Sequence, residues 1–219
     1  MPLINLTPDI QQGRDPAALR PMPKRTGTDN EWKTPSDLII ALLNLLPPPG
    51  KFCVWEPAAG DGRIFDALRA VGHNVVASDI VPQRADIARL DFLNDDVPEA
   101  AIGGVVATNP PFARSGLGDK FLRRGLELLD RKRVRTVVFL QRHDASTADC
   151  RVEIFKRALF EVRCCWRPRW IEGSEGNGRW AFSWWCWCAE NKGPPMVLLA
   201  RKCELEDNFM RKRELGGMR

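Results

Sequence analysis

The sequence predicts an α/β fold: a single domain on a doubly wound, mostly parallel sheet whose C-terminal strands turn antiparallel. Three observations lead there. Short apolar runs alternate with amphipathic stretches through the middle of the chain, a glycine-bearing turn joins the first such pair, and beyond Phe160 helical periodicity gives way to tryptophan-rich runs. Strands that alternate with helices need crossover connections, which cover both faces of a parallel sheet.

Residues 1–28 are rich in Pro, Gly, Asp and Arg without sustained periodicity and read as a flexible arm. After Thr34-Pro35-Ser36, the residues Leu38, Ile39, Leu42, Leu43, Leu45 and Leu46 form one helical apolar face, which Pro47-Pro48-Pro49-Gly50 stops. Phe52 to Trp55 and Val75 to Ala77 are predicted strands, each leading into a predicted helix, Ile64 to Val71 and Pro82 to Leu90. Val105-Val106-Ala107 precedes a helix from about Gly118 to Asp130, and Thr136 to Leu140 precedes one from about Ala148 to Ala158. The last strands are Val162 to Trp166, Trp180 to Cys188 and Met196 to Leu199, the first two separated by the Gly-rich segment Glu172 to Gly178. The folded domain then covers residues 29–200, and 201–219 form a charged tail.

A chain of 219 residues, 44% of them hydrophobic, can bury a substantial core. No stretch approaches the roughly 20 consecutive apolar residues of a membrane span, and the N-terminus has no signal-peptide pattern, so a cytoplasmic protein without a membrane partner is expected. Of the seven cysteines, Cys53, Cys164, Cys165, Cys186 and Cys188 lie in apolar or aromatic runs with no C-x-x-C pair. Buried thiols are expected there, and no metal. The net charge of +5 is unevenly spread, with −4 over residues 1–100 and +9 over 101–219. A nucleic acid would prefer the second half, although the same arginines also suit solvated helix faces.

Glu56-Pro57-Ala58-Ala59-Gly60-Asp61-Gly62 lies between the first strand and its helix, where ligands of such sheets bind and where glycine lets backbone approach them. A dinucleotide fingerprint needs a third glycine where Phe65 stands. Asp79 ends the next strand, where a ribose-binding sheet places a carboxylate acceptor. Asn109-Pro110-Pro111-Phe112 follows the strand at Val105 to Ala107; its prolines fix φ and remove two backbone donors, leaving a rigid turn with carbonyls free to accept. An exocyclic amine, whose lone pair is delocalised into its ring, becomes a nucleophile if the Asn109 side-chain oxygen and the Pro110 carbonyl accept its protons. Such catalysis rests on positioning and electrostatics.

The segment from Glu56 to Gly62 resembles the first motif of class I S-adenosylmethionine-dependent methyltransferases. The resemblance implies a Rossmann-like methyltransferase sheet and S-adenosyl-L-methionine as cofactor. It places Glu56, Pro57, Ala58, Gly60 and Gly62 along the methionine portion, Asp79 with its neighbour Ile80 at the ribose, and Asp91 and Phe92 at the adenine. Asn109-Pro110-Pro111-Phe112 resembles the [DNS]-P-P-[YFW] motif of amino-group methyltransferases, whose aromatic member stacks on a flipped base. Phe112 would be that residue, and Asn109 would stand between acceptor and cofactor. No Pro-Cys dipeptide of the kind used for cytosine ring-carbon methylation occurs. Trp32-Lys33-Thr34-Pro35 resembles the N-terminal motif of gamma-ordered DNA amino methyltransferases, which implies Trp32 and Thr34 at the cofactor's methionine end; Thr34-Pro35 is equally a good helix start.

Trp166-Arg167-Pro168-Arg169-Trp170 and Arg179 to Trp187 interleave tryptophan with arginine, a pattern that serves base stacking and phosphate binding or, alternatively, packs a strand pair on the sheet. They resemble a segment of small phage and mobile-element methyltransferases, which implies nucleic-acid contacts at Arg167 and Arg169, with Arg114 and Arg142 beside the predicted site. The expected activity is methyl transfer to the exocyclic amine of adenine in DNA, favoured over RNA, by a monomer or weak dimer. RNA adenine or protein glutamine methylation is the alternative within enzymes. A non-catalytic protein that binds the cofactor and docks on nucleic acid is the alternative outside them.

Overall fold

A computed structural model describes residues 33–112, 116–170, 178–189 and 193–205. Its centre is an eight-stranded sheet, with strands β1 Val54–Glu56, β2 Val75–Asp79, β3 Ala88–Arg89, β4 Val105–Thr108, β5 Thr136–Arg142, β6 Phe160–Cys164, β7 Phe182–Cys188 and β8 Met196–Ala200. The strand order is β3-β2-β1-β4-β5-β7-β6-β8. Strands β3 to β5 pair in parallel, β7 runs antiparallel to both β5 and β6, and β8 pairs parallel to β6. This is the expected doubly wound sheet with its antiparallel C-terminal strand.

Strand residues alternate between two cores. Val54, Val105, Val138 and Trp184 face the helices α1 (Ser36–Leu45) and α2 (Arg63–Ala70), whereas Trp55, Val106, Val137 and Trp187 face α3 (Leu117–Asp130) and α4 (Val152–Lys156). Helix α1 buries Leu38, Ile39, Ala41 and Leu42, and the buried Trp184 donates its indole N–H to the Leu38 carbonyl at 2.9 Å. That bond fixes α1, and with it Thr34, over the carboxyl ends of the strands.

Two predicted helices differ. Pro82 to Leu90 is a series of bends ending in β3, because Ile87 is its only buried apolar anchor and a helix needs a stripe of them. Arg84 spans this segment instead, bonded to both Asp66 and Asp86. The helix expected over Ala148 to Ala158 is broken into a 3₁₀ turn at Asp149–Arg151 followed by the short α4, after a separate 3₁₀ turn at His143–Thr147, with only Phe155 and Ala158 buried in the core. The tryptophan-rich strand is core: Trp184, Trp185 and Trp187 are at most 4% exposed. Among the described residues no helix is long and apolar enough to cross a membrane, and no cluster of His, Cys, Asp or Glu could hold a metal. Burial pushes the Cys164 thiol up, and the Cys186 thiol up to about 12.

Candidate active site

The strand order turns between β1 and β4, since β1 carries β2 on one side and β4 on the other. The crevice outside the carboxyl ends at such a turn is where a sheet of this type receives a ligand. Two loops flank it: residues 57–62 after β1, and Asn109 to Phe112 after β4.

The first loop is tight. Gly62 N–H donates to the Ala59 carbonyl at 2.8 Å, and Gly60 and Gly62 hold φ of +53° and +87°, the left-handed region that glycine enters at least cost. A Cβ on Gly62 would stand 2.5 Å from Arg84 Nη1, whereas one on Gly60 would meet nothing within 4 Å. Gly60 therefore faces open space. Asp79 ties the loop down: its Oδ2 accepts from Gly60 N–H and its Oδ1 from Val81 N–H, both at 2.9 Å. A carboxylate has about four lone-pair sites, so two remain for a ligand. Ile80 beside it is 55% exposed, an apolar side chain that a ligand's ring could cover.

Glu56 is 2% exposed, and its Oε2 has no hydrogen-bond partner. Burial raises its carboxyl well above the usual range, the Phe65 N–H pulls partly back, and the charges of Asp79, Asp61 and Asp66 add to the rise. A buried acid without a counter-ion is costly, and a bound cation would relieve it.

The second loop holds the sharpest geometry. Asn109 donates from Nδ2 to Thr34 Oγ1 at 3.0 Å, across 75 residues of sequence, and Thr34 is itself buried. With the donor end engaged, Asn109 Oδ1 is left buried and without a partner. Pro110 is buried, and no donor among the described residues reaches its carbonyl. Two acceptors are thus fixed on one rigid turn. Phe112 is half-buried, with Phe182 and Trp170 ring centroids at 5.6 and 6.3 Å.

Other expected residues are placed less directly. Phe92 is 1% exposed and packs on Trp55, Phe121 and Phe139, so its ring belongs to the core. Asp91 closes its own turn, accepting from Leu93 N–H and Asn94 Nδ2. Arg142 is paired with Asp144 and lies 3.7 Å over the Trp180 ring. Arg167 and Arg169 are exposed on either side of the buried Pro168. Trp32 and Arg114 lie outside the described residues. The Thr34–Asn109 bond escaped sequence reading because neither residue's local pattern names a partner so distant in the chain.

No protein-family description and no curated protein matches this chain. Solved structures do. A modification subunit ascribed to a type I restriction enzyme of Vibrio vulnificus superposes with a TM-score of 0.53 at 14% identity, over 80% of this chain and 48% of that one. The type IIG restriction endonuclease BpuSI gives 0.56 at 15% identity, over 84% of this chain and 28% of that one. A Pyrococcus horikoshii protein described by ascription as an RNA methyltransferase gives 0.52 at 13% identity, over 69% of this chain and 82% of that one. The chain spans about half the length of the first and less of the second. At these identities the likeness is one of fold.

Proposed function

We propose that this chain is an S-adenosyl-L-methionine-dependent methyltransferase that acts on the exocyclic amine of adenine in DNA by direct transfer. The observation that carries the reading is Asn109: an amide pinned by Thr34 through its donor, with its oxygen buried and unpartnered on the Pro-Pro turn.

The residues around the crevice fit the cofactor. Glu56 offers its orphaned oxygen to the ammonium group, the open face of Gly60 admits the methionine backbone, and Asp79 has lone pairs left for the ribose hydroxyls. When bound, S-adenosyl-L-methionine supplies an electrophilic methyl group on a sulfonium. Asn109 Oδ1 and the Pro110 carbonyl accept the two amine protons of the target base, which localises the lone pair on nitrogen and aims it. Held there, that nitrogen would take the methyl carbon from the sulfonium, which leaves as the thioether, and the surplus amine proton would pass to solvent. Both acceptors are oriented before the substrate arrives, so little reorganisation opposes the reaction. Phe112 supports the base from the side of Trp170 and Phe182.

Tritiated methyl transfer to duplex DNA, single-stranded DNA, RNA and protein, followed by nucleoside analysis, tests the reading. N6-methyladenine from DNA is the expected product. Label only in glutamine, only in RNA, or nowhere would overturn it.

A further inference from the structure

Beside the Asn-Pro-Pro-Phe turn opens a cleft of about 370 Å³ whose polar lining is dominated by cations. Lys33 comes from the segment before α1, Arg63 from the first turn of α2, Arg167 and Arg169 from the loop after β6, and Lys202 from the segment after β8. Four separate stretches of sequence thus converge on one hollow. Trp166 lines it too, and its indole Nε1 is buried with no acceptor. Two carboxylates hold part of this charge: Asp61 pairs with Lys33 at 3.5 Å and with Arg63 at 3.2 Å, and Asp37 pairs with Lys202 at 3.1 Å. Among the described residues, five cations against two carboxylates leave an excess of three positive charges.

We infer that this cleft receives the phosphodiester backbone next to the target nucleotide, with Lys33, Arg63 and Lys202 joining Arg167 and Arg169 as phosphate contacts and Asp37 competing with phosphate for Lys202. The inference rests on the nucleic-acid reading given above. The ligand must be an anion, since lysine, arginine and the indole N–H only donate. It must carry several charges, because a single carboxylate such as that of the cofactor is satisfied by one bidentate arginine. The cleft is also placed for it: Trp170, on its wall, meets the Phe112 ring, and Lys33 directly precedes the Thr34 that holds Asn109.

The test uses the full chain and a fluorescein-labelled DNA duplex, with anisotropy titrations across a range of salt and S-adenosylhomocysteine affinity measured in parallel. Each phosphate contact contributes about 0.9 to the slope of log affinity against log salt on duplex DNA. Lys33→Gln/Arg63→Gln/Lys202→Gln should therefore lower the slope by about 2 to 3 and weaken binding at least tenfold, with S-adenosylhomocysteine affinity held within about twofold. Lys202→Gln alone, on a side chain 67% exposed and harmless to folding, should lower the slope by about 1. Asp37→Asn should move the other way and tighten binding severalfold. An unchanged slope in the triple and single variants would overturn the inference, as would a parallel loss of S-adenosylhomocysteine affinity, which would assign the cleft to the cofactor. A duplex bound with these slopes but never methylated would sink the proposed function and leave the cleft standing; methylation with unaltered slopes would do the reverse.

Discussion

Thr34→Val separates the Thr34–Asn109 hydrogen bond from everything else at the site, because valine keeps the shape and burial of threonine and removes only the hydroxyl. The bond is 3.0 Å long and partly buried. A neutral bond of this kind contributes about 1 kcal/mol, and leaving the Asn109 amide donor unpaired costs about 1–3 kcal/mol. Freed from Thr34, the amide can turn its nitrogen toward the substrate amine and present a donor where an acceptor is needed. A restraint of about 1–2 kcal/mol corresponds to a rate loss of roughly 5- to 30-fold. Asn109→Ala removes the acceptor outright, and turnover should fall about 100-fold, as for other preorganised polar groups. The two losses share one mechanism, so the double variant should be no slower than Asn109→Ala alone. Single-turnover tritium transfer at saturating cofactor and oligonucleotide measures all three rates, and Thr34→Ser should restore most of the wild-type rate. Multiplying losses in the double variant, or a wild-type rate for Thr34→Val, would refute the coupling. A loss confined to cofactor affinity would return Thr34 to the cofactor contact its Thr-Pro motif implied.

Three further outcomes are expected. Asp79→Ala should weaken S-adenosylhomocysteine binding by about 1–3 kcal/mol in calorimetry, since a ribose acceptor is lost and Gly60 is released; unchanged affinity would remove Asp79 from the site. Phe112→Leu keeps an apolar contact with Phe182 and gives up stacking, so productive binding should weaken by about 1–3 kcal/mol on duplex DNA and less on an unpaired target, and equal losses on both would argue against base support. Glu56 is raised by burial, so its native form keeps a proton to higher pH than its unfolded form; its stabilising contribution is complete below the ordinary glutamate value of about 4.3 and disappears as pH rises through the raised one. Ligand-free Glu56→Gln should accordingly melt like wild type near about pH 4 and higher than wild type in alkaline buffer, while binding S-adenosyl-L-methionine less tightly; identical melting at all pH values would show that the buried acid carries no penalty.

The sheet, the glycine loop and the Asn-Pro-Pro-Phe turn were legible because each is a local pattern. Glycines at 60 and 62 mark a backbone that needs positive φ, and Asn109 to Phe112 mark a turn whose rigidity is covalent. Where a residue's setting depends on distant packing, the sequence was ambiguous. Tryptophans 184, 185 and 187 fall on both faces of one apolar run, and only the pairing of β7 between β5 and β6 commits them to the two cores. Phe92 went the same way, drawn inward by Trp55 and Phe121. Arg142 ends β5, the strand beside the one that leads into Asn109, yet Asp144 two residues on claims its charge. The cleft was half visible: Arg167 and Arg169 announce themselves, but Lys33, Arg63 and Lys202 are ordinary surface residues until the fold gathers them.

The reversal of β7 settles where this fold can change without breaking. Had β7 run with its neighbours, the chain leaving β6 would have had to travel to the opposite end of the sheet before starting it. Because it runs backwards, Arg163 and Ser183 are paired across the two strands, and residues 165–181 leave and re-enter the sheet at the same rim, the one that carries Asn109. That excursion is tethered at two neighbouring points and shares no strand with the glycine loop or Asp79. Trp170 within that stretch meets the Phe112 ring, so a change of length or composition there bears on the surroundings of Phe112 and leaves the strands that carry Gly60 and Asp79 untouched.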